Sequence, residues 1–258
     1  MGYWQDRQAE ALAALTEKSE RQIQKQMRKY YAEAAKSVIE EFETTYAHLL
    51  ASIEAGREAT PADLYKLEKY WQMVGRIRQT LNSLNEKEIE MLTRVFEANF
   101  FDIYYGLDLP VDMNFSGVSD STVKQLINAV WCNDGKHWSS RIWDNTSNLA
   151  NMLNDELVKN VLTGKKTTDL KNKLQERFNV AYNEANRLVR TELAHIQTAA
   201  AEERYKDSGI NKVEVWADKD ERQCEVCGKL HQKVYRLGEK LPIPAHPNCR
   251  CCIVPIIE

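Results

Sequence analysis

Cys224 and Cys227 are separated by two residues, and after eighteen more come His246-Pro247-Asn248-Cys249-Arg250-Cys251. A two-residue gap lets one backbone turn present both cysteine sulfurs to one metal ion. His246 and Cys249 repeat the gap with an imidazole in place of one thiolate. Four such donors from two knuckles are the sequence form of a closed, tetrahedral zinc site. Cys251 would face the same side of an extended strand as Cys249, so either His246 or Cys251 can serve as fourth ligand. Reduced cysteines packed as small hydrophobes are the competing account. Five of the six cysteines lie in this tail. Cys132 and Cys252 read as bystanders, and His231, between the knuckles, reads as a surface residue before a ligand.

A filled four-ligand site keeps no open position for chemistry. The chain also lacks the His-x-Glu of zinc deaminases, the His-Glu-x-x-His of metalloproteases and a phosphate-cradling glycine loop. His195 has no flanking nucleophile and reads as a packing or surface histidine. The expectation is a structural metal and no enzyme.

Upstream, Arg190-Thr191-Glu192 falls on a long helical pattern. Arg190 and Glu192, two apart, do not face each other there. They are expected to reach across to the zinc segment as a structural ion pair. Lys159, Lys165, Lys166, Lys171, Lys173 and Arg177 form a locally basic stretch. A solvated face is the plain account of it, and non-specific phosphate contact the sharper one. Trp131, Trp138 and Trp143 nearby read as core anchors.

The elements that must hold these residues are mostly helices. Apolar residues at Ile23, Met27, Tyr30, Ala34, Val38, Phe42, Thr45, Leu49 and Ile53 keep helical spacing. Thr60, Pro61 and Asp63 open a second helix with a stripe of Leu64, Leu67, Trp71, Val74, Ile77 and Leu81. Asn85 reads as the cap of a third, through Ile89, Leu92, Phe96 and Phe100. Residues 1–105 therefore form a long helical arm, a hairpin or bundle, and it holds more acidic than basic residues. Residues 106–118 form a linker. A helical domain follows over 119–209, with Ser119 or Asp120 as a cap, a helix from Ser139 to Leu162, another to Arg177, a break at Asn179-Val180 and a last long helix. Residues 210–258 form a small β and zinc-knuckle module, with strands near 212–217, 233–236 and 252–254. The fold class is mainly α with a small α+β C-terminal zinc module.

The net charge of −3 excludes bulk polycation behaviour. No apolar run spans a bilayer and the first residues lack a signal-peptide layout, so a reducing compartment is expected.

Glu221-Arg222-x-Cys224-x-x-Cys227-Gly228-x-Leu230, then Val234-Tyr235, then His246 to Cys251, resembles the Mu F-like phage minor head proteins, or phage head morphogenesis proteins. Trp138 to Trp143, Leu188 to Glu192, and Tyr205 with Gly209 look like the same family's signatures in order. Arg190, Glu192 and Trp216 count among its structural motif residues. The likeness is strong over 120–258, while the N-terminal arm is similar in style only. This chain departs at His231-Gln232, where the family has Asp-Gly, and at Cys252, where a small polar residue is usual. The resemblance implies a virion component of a tailed phage or prophage, found in the host bacterial cytoplasm during assembly. It implies binding to the portal protein, an oligomer there, and work in genome packaging or DNA ejection. Double-stranded DNA and other capsid or scaffold proteins are its further implied contacts, and no membrane is. Larger relatives carry toxin or enzyme domains after this module. Because Glu258 lies just past the motif, none is expected here. A zinc-dependent nuclease and a host zinc-knuckle regulator are the alternative functions.

Overall fold

The computed structural model describes residues 3–52, 60–109, 117–132, 134–164, 166–217 and 224–257. Most of them are helical: α1 (Tyr3–Ala51), α2 (Pro61–Tyr65), α3 (Glu68–Gly106), α4 (Asp120–Ile127), α5 (Trp138–Thr163), α6 (Thr167–Asp207) and the short α7 (Glu225–Leu230). Three strands complete the chain: β1 (Lys212–Trp216), β2 (Val234–Arg236) and β3 (Cys252–Pro255). They form one antiparallel sheet in the order β2-β1-β3, with Val213 opposite Tyr235 and Val215 opposite Ile253. The mainly helical fold with a small C-terminal sheet is thus as read from the sequence. Among the described residues no helix is long and apolar enough to cross a membrane.

Two units emerge from the packing, and they are drawn differently from the segments 1–105, 119–209 and 210–258. The first comprises Met1–Gln24, Met91–Trp138 and Asn186–Glu258. The second comprises Lys25–Glu90 and Ser139–Ala185. The helices α1, α3 and α6 each supply residues to both.

Within the second unit, the α1 stripe is buried as its spacing requires: Met27, Val38, Phe42 and Leu49 are all at most 2% exposed. Ile53 lies outside the described residues. The second and third helices differ from expectation. The chain breaks at Lys66-Leu67, where Leu67 N–H bonds the Leu64 carbonyl in a tight turn. α3 then restarts in a new register that buries Tyr70 and Met73 and leaves Trp71 53% exposed. The Trp71 indole N–H donates to the Tyr65 carbonyl at 2.8 Å, which stitches the break. Asn85 is no cap: it is buried inside α3, where its side-chain oxygen accepts from Thr146 of α5. A capping side chain has the same hydrogen-bonding capacity as a buried amide, and the burial of Leu81, Leu84 and Met91 around it carries the helix through. Trp143 is likewise no core anchor, at 40% exposed, whereas Trp138, in the first unit, is buried.

α6 runs unbroken through Asn179-Val180. Leu170, Leu174, Phe178, Ala181, Ala185, Val189 and Leu193 are buried at steps of three and four, and this continuous stripe outweighs the weak helix propensity of Asn and Val. Ser119 caps α4 by accepting from Thr122 N–H, as its sequence position predicts. Residues 110–116 of the expected linker lie outside the described residues.

Candidate metal centre

The site belongs wholly to the first unit. Cys224 caps α7 with its own sulfur, which accepts from the Cys227 N–H at 3.3 Å. Gly228 N–H bonds the Cys224 carbonyl at 2.9 Å and His231 N–H bonds the Cys227 carbonyl at 3.1 Å. The two-residue gap thus becomes one tight turn with both sulfurs on one side. The second knuckle turns at Asn248, which adopts a left-handed φ of 61°. Asparagine tolerates that conformation better than any residue but glycine. The turn closes with Cys249 N–H on the His246 carbonyl at 3.1 Å.

The knuckles meet at Cys227. Its sulfur lies 3.0 Å from His246 Nε2 and 3.9 Å from Cys249 Sγ, and Cys224 Sγ lies 3.1 Å from the same imidazole nitrogen. Zinc–sulfur bonds of about 2.3 Å in a tetrahedron put two sulfurs about 3.8 Å apart, so the Cys227–Cys249 separation fits. The donors fall into two overlapping triads that share Cys227. One is Cys224, Cys227 and His246; the other is Cys227, Cys249 and Cys251. Both expected alternatives for the fourth ligand, His246 and Cys251, are therefore at hand. Cys227, Cys249 and Cys251 are buried, as soft ligands of a closed site are.

Protons are distributed in a way that suits metal capture. The His246 Nδ1 lies 2.8 Å from the Pro247 carbonyl, so that nitrogen carries the proton and Nε2 turns its lone pair to the sulfurs. The same carbonyl, more than any other group, raises the His246 pKa. The Cys249 thiol is held well below its ordinary value, chiefly by hydrogen bonding from Cys251 and despite burial. Cys251 is pushed up by giving that hydrogen bond, and Cys227 is pushed up first by burial. The Cys224 thiol is lowered too, first by the Cys227 backbone N–H, so Cys224 and Cys249 are the readier thiolates, and a divalent ion would displace the protons that Cys227 and Cys251 favour. The residues fit a thiophilic divalent metal. When bound, it would supply a crosslink between the two knuckles.

Several other sequence candidates sit elsewhere. Arg190 and Glu192 have described partners outside the small sheet. Arg190 pairs with Glu20 of α1, and Glu192, 3% exposed, accepts from the Trp131 indole N–H at 2.9 Å. Their two-residue offset sends them to different neighbours on opposite sides of α6. The residue between them makes a contact from helix to knuckle. Thr191 Oγ1 accepts from the Asn248 N–H at 3.1 Å. No sequence signal singles out Thr191 for this, beyond its place inside the motif.

His231 is half-buried and lies outside both donor triads. Its Nδ1 accepts from the Ala217 N–H at 3.3 Å, and its ring packs edge-on against Trp216 at 4.9 Å. His195 stacks on Trp131 at 4.6 Å, and burial pulls its pKa down to about 4. Cys252 is buried in β3 opposite Trp216, and Cys132 is half-buried after α4. Glu221 and Arg222 lie outside the described residues.

In the second unit the basic stretch is partly neutralised. Lys171 lies 3.5 Å from Glu43, Lys173 2.8 Å from Glu176, and Arg177 2.6 Å from Glu156. Lys159 and Lys166 are exposed, and Lys165 lies outside the described residues.

Residues 151–254 match the family model for phage Mu protein F like protein. This segment is similar to the Mu F-like family of phage proteins. It begins within α5 and ends within β3, so the matched segment contains both knuckles, Thr191, β1, β2 and all of β3 but Pro255. The chain is also similar to NAD(+)--arginine ADP-ribosyltransferase EFV of Enterococcus faecalis (strain ATCC 700802 / V583). The two are 21% identical over 218 residues, covering 75% of this chain and 44% of that protein. The chain thus spans less than half the length of this curated relative. No solved structure matches.

Proposed function

We propose that the chain is a minor head protein of a tailed phage or prophage, built into the virion head and acting in head assembly, genome packaging or DNA ejection. The match of residues 151–254 to the Mu F-like family carries this reading. In it the metal is structural. Zinc held by Cys224, Cys227, His246 and Cys249, with Cys251 as the alternative to His246, staples the chain's end to α6. The work falls to the surfaces so held: a portal protein is the partner, with other capsid or scaffold proteins beside it. Lys159, Lys165, Lys166, Lys171 and Lys173 are the residues offered to DNA phosphates, of which Lys159 and Lys166 are the best placed because Lys171 and Lys173 already face carboxylates. The reading is non-enzymatic, and the transferase named for the relative stays with that longer protein.

The decisive experiment is genetic and biochemical together. Deleting the gene from a phage that carries it should cut the yield of infectious, DNA-filled heads. Tagged protein should co-purify with the portal and remain in CsCl-banded virions. Normal plaque yield from the deletion, with no tagged protein in the virions, would sink the proposal. For DNA, a gel shift that does not weaken with salt, or none at all, removes the phosphate contact.

A further inference from the structure

The metal centre holds one donor more than a zinc staple uses. A closed tetrahedral site takes four ligands, and the two knuckles bring five: Cys224, Cys227, His246, Cys249 and Cys251. They are not spread evenly. The donor atoms of Cys224, Cys227 and His246 lie within 4.8 Å of one another, and so do those of Cys227, Cys249 and Cys251. The Cys227 sulfur is common to both sets.

Each triad is compact. In the first, His246 Nε2 lies 3.1 Å from Cys224 Sγ and 3.0 Å from Cys227 Sγ. In the second, Cys227 Sγ lies 3.9 Å from Cys249 Sγ, and the Cys251 thiol is hydrogen-bonded to both. Three sulfurs about 2.3 Å from a shared ion lie about 4.0 Å apart in a trigonal plane, so the second triad has the dimensions of a three-coordinate site. All three of its cysteines are buried, which keeps water from an ion held there. Cys224 and His246 of the first triad are only half-buried and leave a way in.

The number and the sharing of the donors select the ion. Two three-coordinate ions that share one ligand need five donors, which is the set the knuckles bring together. A single four-coordinate ion leaves one thiol over. Four sulfurs and one imidazole nitrogen suit a soft cation, and the soft cation that thiolates select and that accepts three donors is copper(I). We propose that the knuckles form a two-ion copper(I) site, with the Cys227 sulfur bridging one ion on Cys224 and His246 to another on Cys249 and Cys251. Copper enters already as copper(I), so no electron moves, and the protons of the coordinating thiols pass to solvent. The proposal rests on the reading of the knuckles as a metal centre and deepens it: zinc occupies the centre singly and copper(I) in pairs.

The test is an anaerobic titration of the zinc-loaded full chain with copper(I) kept reduced by ascorbate, with released zinc read by a chromogenic dye. In wild type two copper ions should enter for each zinc that leaves, and X-ray absorption at the copper edge should show a copper–copper vector. Cys251→Ser and Cys224→Ser each break one triad and should take one copper, a twofold loss. Cys251→Ser should still load one zinc, because Cys224, Cys227, His246 and Cys249 remain. Cys132→Ser, outside both triads, should behave like wild type. If a triad variant misfolds by circular dichroism, the copper–copper vector of wild type still decides. One copper per wild-type chain, no copper–copper vector, or two copper ions retained by Cys251→Ser overturns the proposal. Wild type that loads one zinc but only one copper overturns the pair and leaves the zinc staple standing, whereas wild type that loads neither ion removes the metal centre with it.

Discussion

Thr191 accepts the Asn248 amide through its hydroxyl at 3.1 Å, and this bond ties the middle of α6 to the turn that carries His246 and Cys249. Asn248 sits at the strained, left-handed corner of the second knuckle. A fixed amide there fixes the two ligands on either side. Thr191→Val keeps the shape and removes the acceptor. We expect about 1 kcal/mol lower stability and weaker zinc retention in competition with a chelator. An unchanged melting temperature together with unchanged zinc retention would show that the bond has no part in holding the knuckle.

Cys227 belongs to both donor triads, and among the described residues no other donor does. Cys227→Ser should therefore reduce bound zinc more than any other single change. Cys251→Ser, if His246 is the fourth ligand, should leave stoichiometry intact. Cobalt substitution reads this directly, because the sulfur-to-metal charge-transfer intensity counts thiolates. Equal metal content in wild type and Cys227→Ser would remove the metal centre altogether. Chelator treatment of wild type should loosen the C-terminal module, since a structural ion contributes folding free energy.

Glu88 is fully buried in the second unit, and burial raises its pKa from 4.5 to about 8, against the smaller opposing effect of the Tyr31 hydroxyl at 3.3 Å. The folded state therefore keeps a proton that the unfolded chain releases. Stability from this group is complete below pH 4.5 and is lost as pH rises through about 8. The loss by neutral pH is on the order of 3 kcal/mol. Glu88→Gln should flatten that slope and raise stability at alkaline pH, measured by urea unfolding across the range. Identical slopes for the two proteins would show that Glu88 is not the titrating group.

His195 acts on the acid side. Burial against Trp131 lowers its pKa from 6.5 to about 4, so its stabilising neutral form is complete above pH 6.5 and is lost as pH falls through about 4. His195→Phe keeps the stacking and should remove this acid-side loss from the same unfolding series, leaving the Glu88 slope in place. A wild-type acid limb in the variant would reassign it to other groups.

Glu192 is held by the Trp131 indole N–H at 2.9 Å and lies 3% exposed. Glu192→Ala leaves that indole without its carboxylate and should destabilise the first unit by about 2 kcal/mol. Trp131 fluorescence should shift as its environment loosens. Metal content should stay at the wild-type level, because Glu192 is not a ligand; loss of zinc in this variant would contradict that separation.

Local spacing was sufficient wherever a single periodicity or a single turn decided the outcome. The two Cys-x-x-Cys-like gaps, the α1 stripe from Ile23 to Leu49, the Ser119 cap and the three strands all follow from residues close in sequence. Their geometry is set by helix pitch, strand alternation and the reach of one backbone turn. What lay beyond the sequence had competing local and distant solutions. Asn85 can cap a helix or sit inside one, and only Thr146 across the second unit made it interior. Trp71 matched the stripe until a tight turn at Leu67 rotated the register. Asn179-Val180 has weak helix propensity, which the buried row from Leu170 to Leu193 overrode. Arg190 and Glu192 were legible as important, but their partners, Glu20 and Trp131, lie far away in the chain. The amino-acid order determined which donors could hold a metal. The tertiary packing decided that Cys227 joins them and that Thr191 anchors them, because each of those depends on side chains meeting across elements rather than along one.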